Sequence, residues 1–273
     1  MEHFSEEFMD TLRQKKLFLL DMDGTLYLGD RLFPHCRDFL DAIRARGGDY
    51  LYLTNNSSRS VTDYVKKMER IGIPANAGEF FTSTDAACIL LKDRPYRKIY
   101  ALGTASFVSQ LRGEGFPVTT EPEDDIDCLL MGYDTELSYR KLEDACILLN
   151  RGVTYLATNP DLVCPTVWGY APDCGSVSQM LFNATGRKPS FIGKPEPDIA
   201  LLAMKKAGCS KEETVLIGDR IYTDIACGVN AGITTVLVFS GESTRETLKK
   251  SQVKPNFTCE GVGEIWEVLN ENI

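Results

Sequence analysis

Short runs of uninterrupted apolar residues alternate with amphipathic stretches along almost the whole chain. LFLLD at 17–21 is a continuous apolar run of strand length, and YLYLT at 50–54 is a second. Between them, 35–46 has helical spacing and stops at Gly47 and Gly48, while 60–71 is helical and ends at Gly72, with Pro74 beyond. The rhythm returns late in the chain. Pro197 stands where a first helical position would be, Gly208 closes that helix, and Ser210 and Glu213 offer a capping box. TVLIGD at 214–219 reads as a strand, 222–231 as a helix and TTVLVF at 234–239 as another strand. Buried strands alternating with helices imply an α/β fold, a parallel sheet covered on both faces.

The stretch 93–188 repeats the pattern on its own. KIYALG, DCLLMGYD and VTYLATNP read as strands, and 104–112, 138–150 and 176–186 as helices. Periodicity leaves open whether this is more of one large sheet or a separate small α/β domain. There is no internal repeat, low-complexity tract or disordered linker.

Ligands of open α/β sheets bind beyond the carboxyl ends of the strands, so the residues after each apolar run matter most. LFLL is followed by Asp21, Met22, Asp23, Gly24 and Thr25; YLYL by Thr54, Asn55 and Asn56; SFIG by Lys194 and Pro195; TVLI by Gly218, Asp219 and Arg220, then Thr223 and Asp224. Each group has a structural reading by itself, as a turn, a helix cap or a solvated loop. Together, at four strand ends, they form the equipment of phosphoryl transfer. A carboxylate at a strand end attacks phosphorus and forms an acyl phosphate. A second carboxyl two residues on gives a proton to the leaving oxygen and takes one from water. Thr54, Asn55 and Lys194 are donors for the equatorial oxygens. Clustered acids repel a phosphate monoester unless a hard cation such as Mg2+ screens them.

Charge sharpens this reading. The 273 residues carry a net charge of −9, with 43% apolar and 25% charged residues, ordinary for a soluble protein and without a basic face for nucleic acid. An acidic chain that handles an anion needs a local cation or aimed donors. Nine cysteines, mostly in apolar runs and without a CxxC pair, read as core residues in a reducing cytoplasm rather than as disulfides or a zinc site. No signal peptide or membrane-spanning run is expected, and neither His3 nor His35 is expected to be catalytic.

Asp21, Asp23, Gly24 and Thr25, then Thr54, Lys194, and Gly218, Asp219 and Asp224 are the residues by which the chain resembles the haloacid dehalogenase (HAD) superfamily. The resemblance implies a Rossmann-like core, with Asp21 as nucleophile and Asp23 as general acid/base. It implies magnesium held by Asp21, the Asp23 backbone carbonyl and Asp219, with Asp224 orienting its waters. An aspartate at 23 favours a phosphatase or phosphomutase. About 140 residues separate Thr54 from Lys194, and the chain is similar in texture to the NagD-like and p-nitrophenylphosphatase branch: LTNNSSRS, Gly-Tyr-Asp at 132–134, ATNPD at 157–161 and GRKPSFIGKPEP at 186–197. That implies a core of 1–92 and 189–273 and an inserted α/β cap of 93–188 that reads the substrate. Cap candidates are Tyr133, Asp134, Thr158, Asn159, Asp161, Trp168 and Asp173, each with an equally good reading as a turn or packing residue. The leading expectation is a small-molecule phosphatase. A phosphomutase or a regulatory phosphate-binding module is the alternative, and assembly of copies through the cap is left open.

Overall fold

The computed structural model describes residues 4–166 and 168–270. Its strands are, in chain order, β1 (Leu17–Leu20), β2 (Tyr27–Leu28), β3 (Arg31–Leu32), β4 (Asp49–Thr54), β5 (Phe80–Thr82), β6 (Ile99–Leu102), β7 (Val118–Thr119) and β8 (Cys128–Met131). There follow β9 (Thr154–Ala157), β10 (Val163–Thr166), β11 (Gly169–Pro172), β12 (Ser190–Phe191), β13 (Thr214–Gly218), β14 (Thr234–Val238) and β15 (Phe257–Cys259). The chain divides into two compact units.

The first unit comprises 1–53, 65–81 and 194–273. Its six-stranded sheet has the order β15-β14-β13-β1-β4-β5. Strand β1 runs parallel to β13 on one side and to β4 on the other, with Leu20 opposite Ile217 and Tyr52. Leu17, Phe18, Leu19 and Leu20 are all buried, as are Val215, Leu216 and Ile217. A central parallel strand is covered on both faces, so it needs this uninterrupted apolar run rather than an alternation. The helix expected at 35–46 spans Cys36–Ala45, and that expected at 60–71 spans Val61–Ile71. The helix Asp198–Ala207 follows Pro197 and ends on Gly208, whose φ of 69° is the left-handed closing conformation.

The second unit comprises 54–64 and 82–193. Its five-stranded sheet has the order β12-β9-β8-β6-β7, and the pairs β6–β7, β6–β8, β8–β9 and β9–β12 are parallel. Tyr100, Leu129, Met131, Leu148, Leu149 and Tyr155 belong to its core. This unit starts earlier than residue 93 and runs past 188. Ser83 Oγ donates to the Asn55 carbonyl and Gln110 Nε2 to Asp85, which draw 83–92 to this side; β12 pairs with β9.

One local expectation is borne out and one is corrected. The Ser210–Glu213 pair makes both capping-box hydrogen bonds, Ser210 N–H to Glu213 Oε2 at 3.0 Å and Glu213 N–H to Ser210 Oγ at 3.4 Å. They close a turn that leads into β13, because apolar Thr214–Ile217 is claimed by the sheet. The helix expected at 222–231 begins as one π-helical turn, Ile221–Ile225, before the α-helix Ala226–Ala231. All nine cysteines are free. Among the described residues no helix is long and apolar enough to cross a membrane.

Leu129 is fully buried in the middle of the second unit's sheet. Leu129→Ala should cost about 2–5 kcal/mol of stability, the usual toll of a cavity in a sealed core. Urea unfolding monitored by circular dichroism measures it, and a loss under about 1 kcal/mol would mean that the surrounding side chains collapse into the gap.

Candidate active site

The end of β1 delivers Asp21, whose N–H is still bound to the Ile217 carbonyl of β13 at 2.9 Å. The chain then turns sharply: Leu26 N–H bonds to Met22 O and Gly24 N–H to Tyr27 O, each at 2.8 Å. Gly24 has φ of +90°, and a Cβ there would run into the Asp219 carboxylate. Glycine is therefore required twice over, for the backbone and for the space.

Lys194 lies inside this cluster with its side chain 3% exposed. Its ammonium donates to Asp21 Oδ1 at 2.7 Å and to the Leu53 carbonyl at 3.0 Å, and it pairs with Asp224 Oδ1 at 2.7 Å. Three protons meet three acceptors, so the buried cation is fully satisfied. Asp224 sits on the π-helical turn and accepts the Arg220 N–H on its other oxygen at 3.0 Å. Such turns re-aim one side chain within a helix.

Asp219 follows β13. Its Oδ2 accepts the Glu242 N–H at 2.7 Å, and its carbonyl accepts the Ser243 N–H at 3.2 Å. Gly241 packs so closely that any Cβ would displace this carboxylate. The other oxygen, Asp219 Oδ1, is buried and receives no hydrogen bond.

Burial raises the Asp21 carboxyl to about 7. The Lys194 charge opposes that rise and the Asp224 charge adds to it. Burial also holds Asp219 well above the usual carboxylate range, and the neighbouring Asp21 and Asp224 charges add to the effect. Burial alone would lower Lys194; Asp21 and Asp224 outweigh it and hold the ammonium raised. One ammonium thus faces more negative charge than it can neutralise.

Asp21, Asp219 and Asp224 offer carboxylate oxygens within 4.8 Å of one another. A buried carboxylate oxygen with no donor is costly, and a hard divalent cation satisfies it. Oxygen ligands in this number suit magnesium. Asp21 and Asp219 fit as direct ligands, whereas both oxygens of Asp224 are engaged by Lys194 and Arg220, which suits an orienting role.

The other expected residues are distributed as follows. Asp23 is half exposed and receives Tyr27 and Lys67. Thr54 ends β4 and its Oγ1 accepts the Asn56 N–H at 3.2 Å. Asn55, expected to face phosphate, commits its side-chain amide to Asp161 at 3.0 Å. Asn159 donates to the Asn55 carbonyl at 2.9 Å and accepts the Asp161 N–H at 3.0 Å. Thr158 Oγ1 bonds Ser57 Oγ, which also accepts the Tyr133 N–H, both at 2.8 Å. Asp134 pairs with Lys141 at 2.8 Å, and Asp173 caps the helix Cys174–Thr185. These six cap candidates are buried within the second unit. Trp168, between the paired strands β10 and β11, is 72% exposed. His35 stacks on Trp266 and pairs with Asp38 at 3.0 Å; His3 lies outside the described residues. Sequence reasoning placed Arg220 at its strand end without a role, and its Nε meets Glu242 at 3.0 Å; it missed Lys67, Tyr27 and the 240–243 loop. The Gly-Asp-Arg run pointed to Arg220; nothing local pointed to the rest.

Residues 18–117 match the model of the haloacid dehalogenase-like hydrolases, and 191–265 match a second HAD-hydrolase-like model. An acid sugar phosphatase from Staphylococcus aureus is 32% identical over 254 residues, 93% of this chain and 97% of that one. The crystal structure of a 4-nitrophenylphosphatase from Thermotoga maritima aligns with a TM-score of 0.90 at 37% identity, covering 95% of this chain and 99% of that one. A glycerol phosphate phosphatase from Mycobacterium tuberculosis, solved in complex with magnesium, shares the fold with a TM-score of 0.86 at 24% identity, over 95% of this chain and 77% of that one.

Cation binding at these carboxylates should be proton-linked. Below about 7 Asp21 carries a proton that a metal must displace, so apparent affinity should rise with pH up to that point, by about tenfold per unit for each proton released. Calorimetric titration with magnesium at pH 6 and pH 8 measures both affinity and proton release. Affinity independent of pH would exclude Asp21 as a ligand.

Proposed function

The chain belongs to the haloacid dehalogenase-like hydrolases and is a phosphatase of their NagD-like and p-nitrophenylphosphatase branch; on that premise we propose that it hydrolyses small phosphate monoesters, sugar phosphates foremost, through a phospho-aspartate at Asp21. The observation that carries the mechanism is the Lys194 ammonium 2.7 Å from Asp21 within a buried set of carboxylates. A nucleophilic carboxylate must be ionised yet poorly solvated, and this pairing supplies both conditions. Likeness to the acid sugar phosphatase favours sugar phosphates among the esters.

The Asp21 carboxylate attacks phosphorus, the bond from phosphorus to the ester oxygen breaks, and an acyl phosphate forms on Asp21. Asp23 gives a proton to the departing oxygen. It then takes one from the water that hydrolyses the acyl phosphate, returning Asp21 to its starting state. Lys194 and the Thr54 hydroxyl are the donors for the equatorial oxygens. Bound through Asp21, Asp219 and the Asp23 carbonyl, magnesium would screen these acids from the phosphate and polarise it. Asp224 holds Lys194, and through it Asp21, in place.

Among the cap candidates, Trp168 has the exposure a substrate-reading residue needs, while Asn159 and Asp161 shape the second unit from within. Nine free cysteines fit a reducing compartment, and the cytoplasm is the location we favour.

Asp21→Asn should reduce turnover to background while leaving the fold intact, because an amide does not attack phosphorus usefully. Phosphate release under saturating magnesium tests it, and near-wild-type turnover would overturn the covalent route. Asp23→Asn should slow alkyl phosphates by about 10²–10⁴-fold. It should slow p-nitrophenyl phosphate much less, because its leaving group needs little protonation. An equal loss on both esters counts against leaving-group protonation by Asp23.

A further inference from the structure

Lys67 is a lysine in an unusual place. It lies on the helix Val61–Ile71 beside an exposed Lys66, yet it is only 9% exposed. It shares the inward side of the helix with buried Tyr64 and Met68. Lysines are rarely buried unless something holds the charge. Here the ammonium sits 4.0 Å from the centroid of the Tyr27 ring and 3.4 Å from Asp23 Oδ1. Tyr27 is itself fully buried, and its hydroxyl donates to the other oxygen, Asp23 Oδ2, at 3.3 Å. Each carboxylate oxygen of Asp23 therefore receives a donor, and the two donors come from different elements, a helix and the hairpin strand β2. The Lys67 cation on the Tyr27 ring closes the group into a triangle.

We propose that Lys67 and Tyr27 are positioning residues that hold the Asp23 carboxyl in the orientation from which it exchanges its proton with the leaving group and with water; the inference rests on the role of Asp23 argued above. The Asp23 side chain is 42% exposed. A short carboxylate with that much open space would sample several rotamers, and proton transfer tolerates little misplacement. The backbone cannot fix the rotamer: the Gly24 N–H to Tyr27 O hydrogen bond, at 2.8 Å, sets where the turn runs and not where the carboxyl points. At 3.3 and 3.4 Å the two contacts are long for charge-assisted bonds. They steer the carboxyl without locking it, which suits a group that must give up and regain a proton each cycle.

A double-mutant cycle tests this. Lys67→Met keeps most of the stem on Tyr27 and removes the donor. Lys67→Arg keeps a donor. Tyr27→Phe removes one oxygen from a ring that stays buried. With an alkyl phosphate as substrate, K67M should lower kcat by about 10- to 100-fold with little change in KM, within the range that acid–base catalysis contributes. K67R should recover most of that loss, and Y27F should give a smaller loss of the same kind. The loss should be weaker on p-nitrophenyl phosphate. In the D23N background, K67M should cost less than about twofold, since a positioning residue has nothing left to position. A disabled D23N enzyme in which K67M still takes its full toll would overturn the inference alone, leaving Lys67 as an anchor of its helix. Full activity of D23N itself would overturn the reading of Asp23 and this inference with it. Y27F carries the same comparison should K67M fail to fold.

Discussion

One buried ammonium organises the centre of this protein. Lys194 stands between Asp21 and Asp224, with its third proton on the Leu53 carbonyl. Ions in such surroundings lose most of their hydration, and only close, well-aligned partners repay that loss. Without the lysine, the carboxylates after β1 and β13 would repel one another or take up protons. With it, Asp21 stays near 7 rather than climbing further. The excess of negative charge gives the cluster the electrostatics of a cation receptor, and in the proposed mechanism a bound cation would let an acidic protein accept a phosphate ester. Each requirement follows from the one before it.

The parallel sheet gathers these charges with little help from loops. Strands β13, β1 and β4 are neighbours and run in one direction. Whatever follows β13 and β1 emerges at the same edge, so Asp219 and Asp21 are collected by topology. Fine placement then comes from small residues and turns. Gly24 and Gly241 leave room for the Asp219 carboxylate, and the π-helical turn brings Asp224 round to Lys194.

The strands, the alternation and the strand-end carboxylates were legible because burial writes itself into long apolar runs that stop abruptly at polar residues. Turn chemistry was less legible. Ser210 and Glu213 make the two hydrogen bonds of a capping box although a strand follows, so the pair marks a turn and leaves the next element undecided. Tertiary contacts were not legible at all. Lys67 follows an exposed Lys66 on its helix, and its partner Asp23 is 44 positions away. Asn55 reads as a phosphate donor beside Thr54, and that reading gives no sign that one of its amide protons goes to Asp161 across 106 positions. A strand end says which residues gather, not which way each side chain turns.

The register that seats β1 against β13 also dictates when the site can exist. Lys16 and Glu213, just before the two strands, pair across 197 positions. A ribosome adding about 5–20 residues per second needs roughly 10–40 s to travel that distance. Until β13 is made, β1 lacks the neighbour that pairs with one of its two sides, and the backbone groups on that side lack their sheet partner. Asp21 is made well before its counter-charge Lys194, 173 positions later, and before the carboxylate Asp219. The carboxylate cluster is therefore completed only after β13 has been made, from parts whose synthesis is separated by most of that interval.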